Sequence, residues 1–226
     1  MRTEGVGAPC LGERLLFWLF PARCLGCGEA VGPQGFFCPS CGAALPRACR
    51  RRFSLPGTGQ TLEALAPMPY AGGCRRTLHR YKFQGERGLA GQMGRLLAAT
   101  ALGYGVGFQG AAYVPLSRAG KRRRGYDQSR LLAKSLAKAL GIPLLDILEK
   151  ARETEIQHSL GRAARLENVK GAYRAKGGAE GKDVLLVDDI VTTGATLCQC
   201  AGALYQAGAK RVYGLCAASA GRGQEA

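Results

Sequence analysis

The run Val184-Leu185-Leu186-Val187-Asp188-Asp189-Ile190-Val191-Thr192-Thr193-Gly194-Ala195-Thr196 constrains this chain more than any other stretch. Four consecutive apolar residues, β-branched at both ends, fit a strand buried on both faces, as inside a parallel sheet. Two carboxylates end it. Small and hydroxylated residues then make a turn, and Leu197 to Ala207 reads as a helix that Gly208 closes. Ligands of open α/β sheets sit beyond the carboxyl ends of the strands, which is where Asp188, Asp189 and Thr192 to Thr196 fall. The expected fold class is therefore α/β, a parallel sheet flanked by helices.

The backbone N–H groups around Thr193, Gly194 and Ala195 open that helix without partners inside it, and the helix dipole favours an anion there. Gly194 lets the chain come close, and Thr192, Thr193 and Thr196 add hydroxyls, so Thr192, Thr193, Gly194, Ala195 and Thr196 describe a phosphate cup. Asp188 and Asp189 accept hydrogen bonds without donating them, which suits ribose hydroxyls. This combination resembles the signature of the type I phosphoribosyltransferases, which bind 5-phosphoribosyl-1-pyrophosphate. Their pattern is four apolar residues, two acids, two small or apolar residues, then Thr-Thr-Gly-x-Thr. The competing reading is a strand-end acidic pair of the kind found in response regulators or in the Mg²⁺-binding strand of P-loop ATPases. Neither of those continues into Thr-Thr-Gly-x-Thr.

A second constraint lies near the N-terminus, where Cys24 and Cys27 are followed after ten residues by Cys38 and Cys41. Each Cys-x-x-Cys pair precedes a glycine, Gly28 or Gly42, and looks like a zinc knuckle whose spacer lets both sulfurs reach one ion. Four thiolates make a closed tetrahedral site, so Zn²⁺ held by Cys24, Cys27, Cys38 and Cys41 is expected to serve folding rather than chemistry. A redox pair of the thioredoxin kind is the alternative, but no strand-to-helix transition surrounds either pair. Cys49 and Cys74 stand alone, and Cys198, Cys200 and Cys216 fall in core-like segments. That usage fits a reducing cytoplasm. The longest apolar run near the N-terminus, Leu15 to Phe20, is far short of a membrane span, and Glu13 to Phe20 reads as a short helix ended by Pro21.

The chain length admits one well-buried domain with a small appendage, and the expected units are 13–50 and 60–220. Residues 46–60, with the run Arg50 to Arg52, read as a linker between them. A formal charge of +16 favours anionic partners, although a GC-rich genome also yields Arg, Ala and Gly. Tyr70 to Phe83 interleaves His79, Arg80 and Lys82 with aromatics, which suits either a nucleic-acid surface or a half-buried element with a basic solvated face. Leu89, Met93, Leu96, Leu97 and Ala101 recur at helical spacing. Gly105 to Gly110 matches Gly-x-Gly-x-x-Gly, but it follows a helix and precedes a strand, the reverse of a dinucleotide fingerprint, and reads as a loop.

Ala111 to Leu116 reads as the first main strand, the cations Lys121 to Arg124 as part of its loop, and Ser129 to Leu140 as a helix closed by Gly141. Those cations extend a pyrophosphate grip, contact nucleic acid, or are simply solvated. Ile142 to Leu148 reads as a second strand. The polar stretch Ala151 to Lys170, with Gln157, His158, Arg165 and Asn168, reads as a lid that shields an electrophilic sugar carbon from water. Arg211 to Ala217 then gives the strand after the Leu197–Ala207 helix, completing a βαβ unit, and the tail from Ser219 is expected to fray.

Taken together, the four-cysteine module, Val114-Pro115-Leu116, Arg124-Gly125-Tyr126-Asp127-Gln128, Gln157 with Arg165 and Asn168, and the Asp188-Asp189 motif resemble the ComF family over about Pro21 to Ala217. The resemblance implies a zinc ribbon fused to a type I phosphoribosyltransferase-like sheet, and an association with single-stranded DNA, DNA-processing proteins such as a competence helicase, and nucleotide metabolism. It also implies roles. Asp188 and Asp189 act at the ribose, Leu116, Ser117 and Arg118 hold pyrophosphate with Mg²⁺, and Gln157, Arg165 and Asn168 form the lid. Family members commonly carry Asn where this chain has Asp127. Two functions stay open: a pentosyl transferase using 5-phosphoribosyl-1-pyrophosphate or a related ribose phosphate, and a non-catalytic DNA-handling protein that keeps the sugar-phosphate fold.

Overall fold

The computed structural model describes residues 22–55, 58–151 and 171–221. An antiparallel ribbon, β1 (Ala22–Arg23) and β2 (Ala30–Val31), precedes a short helix, α1 (Pro39–Ala43). Then come β3 (Cys49–Ser54), β4 (Thr61–Ala66), β5 (Met68–Pro69), α2 (Gly72–Phe83), α3 (Leu89–Ala101), a 3₁₀ turn at Leu102–Tyr104, and β6 (Gly110–Tyr113). The remainder is α4 (Arg118–Arg124), α5 (Gln128–Leu140), β7 (Leu148–Lys150), β8 (Tyr173–Ala175), β9 (Asp183–Val191), α6 (Ala195–Gln206) and β10 (Arg211–Ser219).

The main sheet runs β3-β4-β10-β9-β6, with β5 paired to the end of β10. Every pairing in it is parallel except β3 with β4. Interior strand β9 shows why the apolar run at its start is a strand: Val184, Leu185, Leu186 and Val187 are all fully buried, on alternating faces. Leu185 and Val187 meet α3 and α5 through Leu97, Leu132 and Leu136. Val184 and Leu186 meet α6 through Leu197, Cys200 and Leu204. Register is pinned where β9 and β10 start, because Arg211 donates from Nε and Nη2 to the two carboxylate oxygens of Asp183 at 3.1 and 2.9 Å. The segment Gly105 to Gly110 leads out of a helix and into β6, as the loop reading expects.

Five sequence expectations change. Residues 46–60 are not a simple linker, since Cys49–Ser54 is the edge strand β3, in register from Cys49 opposite Ala66 to Ser54 opposite Thr61. The arginines suit that edge because Arg50 and Arg52 both reach Glu63 on β4, at 2.6 and 3.4 Å. The second strand expected over Ile142 to Leu148 reduces to one bridge from Leu144 to Ala111, with β7 starting only at Leu148. Pro143 has no N–H to extend a ladder. The strand of the acidic pair runs on to Val191 instead of ending at the acids, because β10 continues beside it as far as Ser219; that residue is buried and not frayed. Lys121 to Arg124 lie in helix α4, which Ser117 caps by accepting from the Gly120 N–H at 3.0 Å. Glu13 to Phe20, Gln157, His158, Arg165 and Asn168 lie outside the described residues.

The cysteine segment shares the main core. Leu25 is fully buried in the same cluster as Leu78, Met93 and Leu185, and Gln92 Nε2 donates to the carbonyls of Arg23 and Gly35 at 2.9 and 2.7 Å.

Candidate functional site

The carboxyl end of β9 turns into α6 through Thr192, Thr193 and Gly194. Gly194 stands in the left-handed region at φ +79°, and a Cβ there would lie 2.4 Å from the Phe53 ring, so both the turn and its packing on β3 require glycine. Arg51 of β3 donates to the Thr192 carbonyl, bracing the turn from the side. Ala195 N–H leans toward Thr193 Oγ1 at 3.4 Å, while the N–H groups of Gly194, Thr196 and Leu197 have no hydrogen-bond partner among the described residues. These donors open a twelve-residue helix, which is the physical requirement for holding an anion.

The turn walls a cavity of about 280 Å³ together with Tyr70, Lys82, Asp188 and Asp189. Asp188 Oδ1 accepts from Ser129 Oγ of α5 at 2.8 Å and from the Asp189 N–H at 2.8 Å. Burial first, and then the adjacent Asp189 carboxylate, push the Asp188 carboxyl up to about 7, against the pull of Lys82 and the Ser129 hydroxyl. Asp189 is buried and pairs with Lys82, Nζ to Oδ2 at 2.9 Å. The arrangement offers carboxylate acceptors on one wall, backbone and hydroxyl donors on another, and one ammonium between.

Leu116 and Ser117 follow β6, the strand beside β9, and Arg118 begins α4; Leu116 and Ser117 do not line the cavity. Asp127 fixes this loop. Its Oδ2 accepts from the Leu116 N–H at 3.1 Å, while its Oδ1 caps α5 by accepting from Arg130 N–H at 3.2 Å. Asp127 thus serves two backbone donors, with Lys121 Nζ 3.5 Å away.

Sequence reasoning missed Lys82, Ser129 and Tyr70 as wall or support, and Arg51 and Phe53 as braces. A signal for Lys82 was present: it stands four residues after Leu78, which is buried, and so shares the flank of α2 that faces inward. Ser129, Arg51 and Phe53 carried no local signal, because their roles depend on pairings between distant segments.

The Sγ atoms of Cys24, Cys27, Cys38 and Cys41 all lie within 4.8 Å of one another. A tetrahedral ion with Zn–S bonds near 2.3 Å needs sulfurs roughly 3.8 Å apart, and Cys27 and Cys38 stand at 3.6 Å. Burial works against a Cys24 thiolate, yet the N–H groups of Cys27, Cys38 and Gly26 outweigh it and bring that thiol down to about 6. Contacts with Cys38, Cys24 and Cys27 push Cys41 up to about 12. Thiols that compete in this way fit a site where a divalent cation supplies the missing positive charge.

Residues 127–226 match the phosphoribosyl transferase domain, and that match takes in β9, α6 and β10, so the β9–α6 turn belongs to a domain of that class. Over 202 residues the chain is 33% identical to DNA utilization protein YhgH of Salmonella typhimurium, covering 85% of this chain and 88% of that protein. It is 31% identical over 187 residues to competence protein ComFC of Streptococcus pneumoniae, covering 81% and 80% respectively. The chain belongs to the ComF family. Among solved structures, the Bacillus subtilis glutamine phosphoribosylpyrophosphate amidotransferase aligns at a TM-score of 0.44 and 24% identity, over 62% of this chain and 30% of that one. Among the described residues no helix is long and apolar enough to cross a membrane.

Proposed function

We propose that this chain binds 5-phosphoribosyl-1-pyrophosphate, or a ribose phosphate of the same shape, and transfers the pentosyl group to a nucleophile. The 5-phosphate sits on the N–H groups and hydroxyls of Thr192 to Thr196, and Asp188 and Asp189 hold the ribose hydroxyls. The pyrophosphate, accompanied by Mg²⁺ that offsets its charge, faces Leu116, Ser117 and Arg118. Catalysis in such a site is chiefly positioning and charge stabilisation of an oxocarbenium-like sugar. Gln157, Arg165 and Asn168 belong to the lid in this reading. The four thiolates hold Zn²⁺ as a structural ion, to be checked by metal analysis of the purified protein.

The observation that carries the reading is that one small cavity joins two carboxylates to the unpaired donors of a helix start. Calorimetric titration with the activated sugar and Mg²⁺ tests it: saturable binding that Asp189→Asn abolishes is expected. Binding unchanged in that variant counts against the assignment. Turnover is tested by following pyrophosphate release across a panel of bases and amines.

A second reading, a protein that handles single-stranded DNA in uptake alongside DNA-processing partners, draws on a separate feature. Phe83 is 49% exposed beside the cavity wall, with the Arg124 guanidinium 5.2 Å over its ring and His79 at 5.0 Å. Bases stack on such aromatics between cations. Two relatives carry names tied to DNA utilization and competence. Oligonucleotide anisotropy across a salt series tests this reading, which expects affinity to fall steeply with salt and to weaken in Phe83→Ala.

A further inference from the structure

We propose that Lys82 sets the selectivity of the pocket for a sugar carrying an anionic group at C1, by passing its ammonium from Asp189 to that group when ligand enters. The assignment rests on the sugar-phosphate reading above and adds to it a residue that lies outside the 127–226 match. Lys82 is the one cationic side chain lining the cavity among the described residues. Its side chain is 16% exposed and its Nζ lies 2.9 Å from Asp189 Oδ2, a carboxylate itself only 10% exposed.

The ammonium is held at this spot by the seating of its helix. Leu78 and Tyr81 of α2 are fully buried, and Tyr81 Oη donates to the Gln128 carbonyl at 2.7 Å. Beyond the pocket, Arg80 clamps the end of the helix by a two-pronged pair to Glu86, both contacts at 2.6 Å. An ammonium has three donor hydrogens, and the carboxylate contact uses one. It also confronts two acids, of which Asp188 is already pushed toward its neutral form. The pocket thus sets one cation against a crowded acidic pair.

Sugar geometry supplies the remaining step. With the 5-phosphate on the start of α6 and the hydroxyls on the acids, the group on C1 projects from the carbon bonded to C2. A cation in contact with the carboxylate that holds the vicinal hydroxyls then lies within a few ångströms of that group. A diphosphate there accepts the ammonium at the moment Asp189 turns to a neutral hydroxyl, so the positive charge is never left unpaired. Ribose 5-phosphate, with a hydroxyl at C1, offers no such exchange.

The test is equilibrium titration of wild type, Lys82→Gln, Lys82→Met and Lys82→Arg with 5-phosphoribosyl-1-pyrophosphate and, separately, ribose 5-phosphate, all with Mg²⁺. The expected result is a weakening of the diphosphate sugar by about 10- to 100-fold in the Gln and Met variants. Ribose 5-phosphate should change by less than about threefold, and Arg should restore most of the loss. Equal losses for both ligands, or none for either, overturn the assignment to Lys82 while leaving sugar-phosphate binding intact. Wild-type protein that binds neither ligand overturns the sugar-phosphate reading and this assignment with it.

Discussion

Single residues at the end of β9 do work that larger or charged substitutes cannot. Gly194 combines φ +79° with a phenyl ring where a Cβ would be. Gly194→Ala is therefore expected to cost about 1–2 kcal/mol from the left-handed backbone, with overpacking against Phe53 adding about 1–3 kcal/mol. In a double-mutant cycle of urea melts, Phe53→Ala should recover the packing part, leaving a coupling of about 1 kcal/mol or more and the backbone part unchanged. Asp188 yields a pH prediction. Its folded-state carboxyl titrates at about 7, above the value of 3.8 for an unburied aspartate. Between those values the folded protein holds a proton that the unfolded chain has released, so this group makes stability fall as pH rises from about 4 to 7. Asp188→Asn keeps an acceptor for Ser129 and for the Asp189 N–H while removing the charge. The variant should match wild type near pH 4 and exceed it by a growing margin, a few kcal/mol by pH 8, read from melting curves across that range. A constant offset at all pH values would contradict this account.

At the scale of elements, α2 joins two features that lie far apart in the chain. Its N-terminal Gly73 packs on the Gly26 carbonyl of the first cysteine pair so closely that a Cβ would fall 1.6 Å from the oxygen, and its far end delivers Lys82 to the cavity. Gly73→Ala should thus lower the melting temperature and weaken retention of the metal in a competition with chelator. Gly91→Ala, where nothing lies within 4 Å of a Cβ, should do neither. Much of this layout could be read from residue patterns. The apolar period of α3, the Gly141 closure of α5 and the β9–α6–β10 unit follow from local signals, and so does the four-cysteine spacing. Edge strand β3 did not, because three consecutive arginines look like a solvated linker until Glu63 on β4 is known to face them. The contacts around the acidic pair were hidden for the same reason. Ser129 and Lys82 reach it from two helices that precede β9 by dozens of residues, and only tertiary packing brings them there.

For the whole molecule, the cysteine cluster and the pocket are two ends of one continuous core rather than independent modules. Leu25 beside the thiols, Leu78 and Tyr81 of α2, and Leu185 and Val187 of β9 belong to a single buried cluster, and Gln92 ties α3 to the β1–β2 ribbon. Removing a Zn²⁺ held there as proposed would leave four crowded thiols that cannot all ionise, so the ribbon should loosen and α2 lose its seat. Extraction with a strong chelator under reducing conditions is therefore expected to cost several kcal/mol. A loss of about 3 kcal/mol corresponds to roughly 6–12 °C in melting temperature for a chain of this size. Affinity for the sugar diphosphate should fall in step, and zinc added back should restore both. The test discriminates because the two readouts arise at opposite ends of α2: a cluster that folded independently would lose its ion with the sugar affinity unmoved. The same titration on Lys82→Gln should show the melting temperature still falling on chelation while the already weakened diphosphate affinity drops little further, since the cation through which metal loss acts on the ligand is gone.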